Sequence, residues 1–310
     1  MRPLQPRALP VLLTTTLLLA PVGHPGTVQT ASAQSDTARW TPELTMRYDQ
    51  IPDTEISPAG EHVAYVVREA VMDTETSIFR QHVHVVATDG SFDVQYTRGE
   101  HSNWSPRWSP DGERLAFLSS RTERPQVHVI HLNGGEAYPV TEAETGVNSF
   151  RWGPDGERIA YTMTDPKTEA EEEREREKRD VHRVNQELRY SHLYVIRIRS
   201  GEETIPEPTR LTAGSFYVIS FDWAPDGATI AFGHQPTPRY EDYLKRNISE
   251  VPADSGAVDP LVERPGGDQD PRYSPDGRTL AFVSQGEEPE LGPGLRRNLY
   301  TVPAGGGSPT

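Results

Sequence analysis

Side chains able to do chemistry are few in this sequence, and they are scattered. The chain has no cysteine, so disulfides, thiolate metal sites and cysteine nucleophiles are excluded. His82 and His84 share one face of an extended run, and His128 faces the same way as Ile130 on another. Two ligands on one strand leave a zinc site without its third and fourth, so these are read as strand histidines and no metal ligand is assigned. Glu171, Glu172 and Glu173 supply neighbouring carboxylates. A general acid needs a buried group of shifted pKa, and nothing in the sequence marks one. No Gly-x-Ser-x-Gly nucleophile elbow occurs: Gly306-Gly307-Ser308-Pro309-Thr310 lacks the last glycine and reads as a hairpin turn. Neither a phosphate-cradling Gly-x-x-x-x-Gly-Lys nor a zinc-binding His-Glu-x-x-His is present. Asn247-Ile248-Ser249 fits a glycosylation sequon. No catalytic residue, cofactor site or metal site is assigned.

Composition narrows the fold. Of 310 residues, 34% are hydrophobic, and 28 prolines and 25 glycines supply many turns, as in an all-β repeat protein. A net charge of −15 argues against a nucleic-acid partner, which requires a basic patch. Arg2 and Arg7 precede an apolar run from Val11 to Ala20, and Ala31-Ser32-Ala33 follows. This is the charged, apolar and small-x-small order of a secretory signal. Residues 1–33 are therefore expected to be a signal peptide cleaved after Ala33, placing the mature chain in the periplasm or outside the cell. The apolar run is too short to span a bilayer, and no cysteine follows it for lipid attachment, so no membrane anchor is expected.

The elements come from a repeat. Ile56-Ser-Pro-Ala-Gly60, Trp108-Ser-Pro-Asp-Gly112, Trp152-Gly-Pro-Asp-Gly156, Trp223-Ala-Pro-Asp-Gly227 and Tyr273-Ser-Pro-Asp-Gly277 align, each leading after two residues into an apolar triplet. The triplets are Val63-Ala64-Tyr65, Leu115-Ala116-Phe117, Ile159-Ala160-Tyr161, Ile230-Ala231-Phe232 and Leu280-Ala281-Phe282. Proline fixes φ for a type I turn, aspartate bonds nearby amides, and glycine takes the left-handed conformation that completes a hairpin. Ala59 in place of Asp weakens the first copy without abolishing it. Third strands are expected at His82–Val86, Gln126–Ile130, His192–Ile196, Asn247–Val251 and Asn298–Val302, and fourth strands at Pro139–Thr141 and Arg210–Thr212. Turns at Asp89-Gly90, Asn133-Gly134-Gly135, Ser200-Gly201, Ser255-Gly256 and Gly305-Gly306-Gly307 separate third strands from fourth. Four short antiparallel strands per repeat make a propeller blade. The fold class is thus all-β, a partial β-propeller over residues 34–310 of about five blades with the last incomplete, and Trp108, Trp152, Trp223 and Tyr273 pack blade against blade.

The repeat prolines at 58, 110, 154, 225 and 275 leave one long interval, the third. It holds a charged insertion, about 165–190, in which Thr168 caps a helix beginning with Glu169 and Glu171 to Glu173. Glu172 with Arg176, and Glu175 with Arg179, stand at i,i+4 spacing. Two readings stay open: a solvated helix leaving the blade edge, or a lid or docking arm.

The unit Trp-Ser-Pro-Asp-Gly-x-x-Leu-Ala-Phe is shared by TolB-type propellers and by the propeller domain of the prolyl oligopeptidase family of serine peptidases. Residues 56–67, Arg98-Gly99-Glu100 leading into Ser105–Gly112, Phe117-Leu118-Ser119-Ser120-Arg121, and Arg189–Val195 after the insertion resemble the acylaminoacyl-peptidase and dipeptidyl-peptidase branch of that family. The resemblance covers about residues 41–310. It implies a propeller that filters peptide access to a C-terminal α/β-hydrolase domain carrying a Ser-Asp-His triad. No triad residue matches a position here, so that domain is expected to be absent from this chain and the chain to be inactive alone. Its partners would be peptide substrates through that domain. The second reading is a standalone TolB-like periplasmic propeller that binds a protein, with residues 40–51 tried as the strand completing the fifth blade.

Overall fold

Each copy of the turn reverses the chain between two antiparallel strands. The computed structural model describes residues 41, 46, 48–72, 77–178, 188–198, 204–286 and 297–310, and Pro42–Thr310 form one compact unit. The signal sequence, the Ser200-Gly201 turn and Arg179 lie outside the described residues.

Five small antiparallel sheets follow one another. The first comprises β1 (Thr54–Ile56), β2 (His62–Met72), β3 (Ser77–Ala87) and β4 (Asp93–Gln95). The second comprises β5 (Asn103–Trp108), β6 (Arg114–Ser119), β7 (Gln126–His131) and β8 (Tyr138–Pro139). The third has β9 (Val147–Trp152), β10 (Arg158–Thr164), β11 (Ser191–Arg197) and β12 (Thr209–Arg210), and the fourth β13 (Tyr217–Trp223), β14 (Thr229–Gln235), β15 (Asn247–Pro252) and β16 (Asp259–Val262). The fifth has three named strands, β17 (Gln269–Tyr273), β18 (Thr279–Ser284) and β19 (Asn298–Pro303). Thr310 exchanges both backbone hydrogen bonds with Thr301 of β19, at 2.8 and 2.9 Å, where a fourth strand pairs in the other sheets.

The turn chemistry is as expected. Gly112, Gly156, Gly227 and Gly277 have φ between 68° and 72°, and each amide donates to the carbonyl three residues back. Asp155 Oδ1 accepts from the amides of Glu157 and Arg158, at 2.9 and 3.1 Å. In the first copy Ala59 makes no such bond, yet Gly60 still donates to Ser57 O at 2.8 Å and Ser57 Oγ accepts from His62 N. The hairpins place each aromatic opposite the first residue of its triplet, as in Trp152 with Ile159 and Trp223 with Ile230.

Burial tends to raise the Asp155 carboxyl, but bonds from the Glu157 amide and Arg158 outweigh it and hold the group below its usual range. A carboxylate depressed in the fold stabilises it above the unfolded value of about 3.9, and that stability is lost as pH falls through the folded pKa. Denaturant unfolding between about pH 5 and pH 2 should therefore show falling stability, and Asp155→Asn should flatten part of that slope. An unchanged slope would refute the role given to the turn aspartate.

Blades pack by a rule of large against small. Ala64, Val66, Val83 and Val85 of the first receive Trp108, Leu115, Phe117 and Ile130 of the second. Ala116, Leu118, Val127 and Val129 of the second likewise receive Phe150, Trp152, Ile159 and Tyr161 of the third. A latch runs along this seam. Arg114 lies over the Trp152 ring, 5.0 Å from its centroid, and donates to Gly156 O at 2.8 Å. Arg158 repeats the arrangement one blade on, 4.9 Å from Trp223 and 2.9 Å from Gly227 O. Desolvated guanidinium–indole contacts add about 1–2 kcal/mol to the area buried.

Three expectations need correction. The fourth strands sit earlier than expected, at Tyr138–Pro139 and Thr209–Arg210. Thr141 and Thr212 instead turn their hydroxyls inward to accept from the amides of Val127 and Leu193, both at 2.9 Å, so a side chain replaces a ladder bond. Gln50, near the end of the segment tried as a strand of the fifth blade, pairs instead with the first, bridging Arg68 of β2. The insertion helix, α1 (Glu169–Arg176), has the expected Thr168 cap as a full capping box with Glu171, but Arg176 pairs with Glu173 at 3.0 Å and not with Glu172.

Candidate functional site

Contacts between neighbouring blades run through first strands: β1 meets β5, β5 meets β9, and β13 meets β17. First strands therefore lie innermost, where a propeller has its central channel. The residue just before each repeat aromatic, and before Ile56 in the first copy, comes to this axis: Glu55, Arg107, Arg151, Asp222 and Arg272. Strand alternation explains it, since the aromatic turns into the blade seam and its predecessor turns away.

These charges are linked across blades. Arg107 Nη1 reaches Asp53 Oδ2 at 3.2 Å and Glu55 Oε2 at 3.1 Å. Arg151 Nε donates to Phe221 O at 2.9 Å and stands 3.9 Å from Asp222 Oδ1. Arg272 Nη1 approaches the same Phe221 carbonyl from the fifth blade at 3.4 Å, while Asp222 Oδ2 accepts from Tyr273 N at 3.0 Å. Burial raises the Asp222 carboxyl, against the Tyr273 amide and the two arginines that favour its charge. Burial raises Glu55 as well, opposed by Arg107. Burial lowers Arg151, and the charge of Arg272 adds to that. The arrangement can recognise charge on an extended chain, and it holds no nucleophile and base in bonding reach of one another.

Two innermost strands carry strain at this lining. Ser105 and Asp270 have φ of 52° and 55°, and each precedes the same Pro-Arg-aromatic sequence. A left-handed residue ahead of proline costs on the order of 1–3 kcal/mol. Both arginines of the motif curl back onto the preceding proline carbonyl, at 2.6 Å for Arg107 and 2.8 Å for Arg272.

A second concavity, of about 450 Å³, lies under α1, between Lys167, Glu172 and Arg176 of the insertion and Arg124, Glu144 and Thr145 below. The insertion is rooted by Asp165, which meets Arg210 at 2.9 Å and the fully buried His192 at 3.4 Å. His192 Nδ1 bonds Thr212 Oγ1 at 3.2 Å, and burial lowers its pKa in spite of Asp165.

The residues weighed from sequence are not brought together. His82 and His84 sit on either side of Val83 in β3, and His128 is buried in β7 against the Gln126 carbonyl. Among the described residues, no group of three or more His, Asp or Glu could hold a metal ion. The sequon lies inside β15, with Asn247 half-buried, Ile248 fully buried and Ser249 Oγ bonded to His234 at 2.9 Å. Gly306 N bonds Pro303 O at 2.9 Å, the turn expected there. The axial charges were not singled out from sequence, although all five occupy one column of the repeat alignment.

The sheets and their axial first strands define a β-propeller. No family model matches the chain. Over 92 residues, 29% of its length, it is 34% identical to a dipeptidyl-peptidase 5 of Porphyromonas gingivalis, and the match spans 13% of that protein. Acylaminoacyl peptidase of Pyrococcus horikoshii superposes with a TM-score of 0.61 at 17% identity, covering 86% of this chain and 40% of that one. TolB of Acinetobacter baumannii superposes with a TM-score of 0.53 at 19% identity, covering 83% of this chain and 53% of that one. This chain therefore spans less than two thirds of each relative. Among the described residues, no helix is long and apolar enough to cross a membrane.

Proposed function

We propose that this chain is the non-catalytic propeller portion of an exported serine peptidase of the prolyl oligopeptidase family, controlling which peptides reach a hydrolase domain outside residues 1–310. The observation that carries this reading is the identity to a dipeptidyl-peptidase in a chain whose fold is that of the acylaminoacyl peptidase propeller. The axial charges support it, because an extended peptide presents charged termini and side chains to such a lining. The cleft under α1 gives the insertion a place to act as an arm over an incoming chain. Export rests on residues 1–33. The likeness to TolB favours a second reading, a protein-binding propeller without a hydrolase.

The purified chain should bind short oligopeptides and leave them intact. Binding is read by fluorescence anisotropy of peptides carrying a rhodamine dye, and integrity by chromatography of the same samples. Turnover free of contaminating protease would overturn the non-catalytic assignment, and failure to bind any peptide would favour the protein-binding module.

A further inference from the structure

We propose that Arg151 and Arg272 form a carboxylate-binding subsite on the propeller axis. The proposal deepens the peptide-handling reading and rests on it. The two arginines come from the third and fifth blades and converge on one acceptor, the Phe221 carbonyl of the fourth. A single acid stands between them, and it serves them poorly: Asp222 is 3.9 Å from Arg151 Nε and spends its other oxygen on the Tyr273 amide. Arg107 stands in contrast, held by two carboxylates at 3.1 and 3.2 Å. Each guanidinium has five N–H donors in a planar fork; Arg151 donates through Nε to one carbonyl, and Arg272 Nη1 serves the Phe221 and Pro271 carbonyls, which leaves several donors of each to a ligand. Arg151 is held through Nε, a bond that commits neither of its terminal nitrogens. Its side chain is 33% exposed, so a ligand can reach it. Planar, bidentate pairing is what guanidinium offers a carboxylate, and two guanidiniums on one carbonyl offer it twice.

The carboxylate can be the C-terminus of a peptide or an internal glutamate, and the test separates them. Three N-acetylated rhodamine hexapeptides are compared on the complete chain: one with a free C-terminus, its C-terminal amide, and an amide with one internal glutamate. At least one carboxylate peptide should bind ~10-fold more tightly than the plain amide, the worth of a charge-assisted hydrogen bond. Arg151→Gln and Arg272→Gln should each erase that preference, and Arg151→Lys should keep part of it. Equal binding of all three peptides by the unaltered chain, which needs no variant to fold, would overturn the subsite and leave peptide handling standing. No binding of any of them would overturn the peptide-handling reading and the subsite with it. A preference that survives Arg151→Gln and Arg272→Gln together places the carboxylate elsewhere.

Discussion

Trp152→Ala is expected to destabilise the protein by about 3–5 kcal/mol, the cost of emptying a buried aromatic site. Its ring is 8% exposed and fills the seam between the second and third blades, with Arg114 over one face and its indole N–H donated to Arg107 O at 3.0 Å. Removing it takes away apolar burial, the cation–π contact with Arg114 and the indole N–H bond to Arg107 O. Blade arrays are held together by nearest-neighbour interfaces, so the loss falls on the joint itself. Ile56 occupies the same column of the repeat and is 61% exposed. Ile56→Ala should therefore change stability by about 0.5 kcal/mol or less, in the ordinary range for surface positions. Urea unfolding of the two variants checks the pair, and comparable losses would show that the aromatic column is not what joins the blades.

Gly267→Ala should be nearly as damaging, at more than about 3 kcal/mol, through a backbone that cannot yield. Gly267 has φ +69°, and a Cβ there would lie 2.5 Å from Tyr243 O and 3.4 Å from Leu244 Cα. The next residue, Asp268, is fully buried beside Arg264 at 3.3 Å, and Arg264 stacks 4.2 Å from the Tyr300 ring. Moving the Gly266-Gly267 corner to relieve the clash would disturb that buried pair, whose members are costly to separate in a low-dielectric site. Gly60→Ala is the control. Its φ is +74° with nothing within 4 Å of the new methyl, so it should cost the left-handed strain alone, about 1–2 kcal/mol. Equal losses at the two glycines, measured by thermal unfolding, would mean that conformation rather than close approach governs both.

Much of this fold was legible because its code is local. Pro-Asp-Gly sets a turn whatever surrounds it, so the hairpins, the triplets and the Thr168 cap followed from neighbours in sequence. The fourth strands were misplaced because Thr141 and Thr212 look like strand residues, and only the third strand's amide shows that their hydroxyls take the place of a ladder bond. Residues 40–51 were tried for the fifth blade although their pattern is weak, and the pairing of Gln50 with Arg68 is a tertiary fact that the pattern does not carry. The axial site was harder still. Arg107, Arg151 and Arg272 each look like an outward polar residue beside an aromatic, and they acquire a joint meaning only when strands from separate blades converge. Arg114 and Arg158 behave likewise: each latches a tryptophan about forty or more residues away, beyond the reach of any periodicity argument.

The propeller is proposed to serve a serine hydrolase. The most direct measurement is to treat the native polypeptide that contains this sequence with a fluorophosphonate probe, which labels activated serine nucleophiles, and to map the labelled peptide by mass spectrometry. The account predicts a labelled serine in a Gly-x-Ser-x-Gly segment of the same polypeptide, outside residues 1–310. A native polypeptide that takes up no probe while binding a protein partner would contradict it.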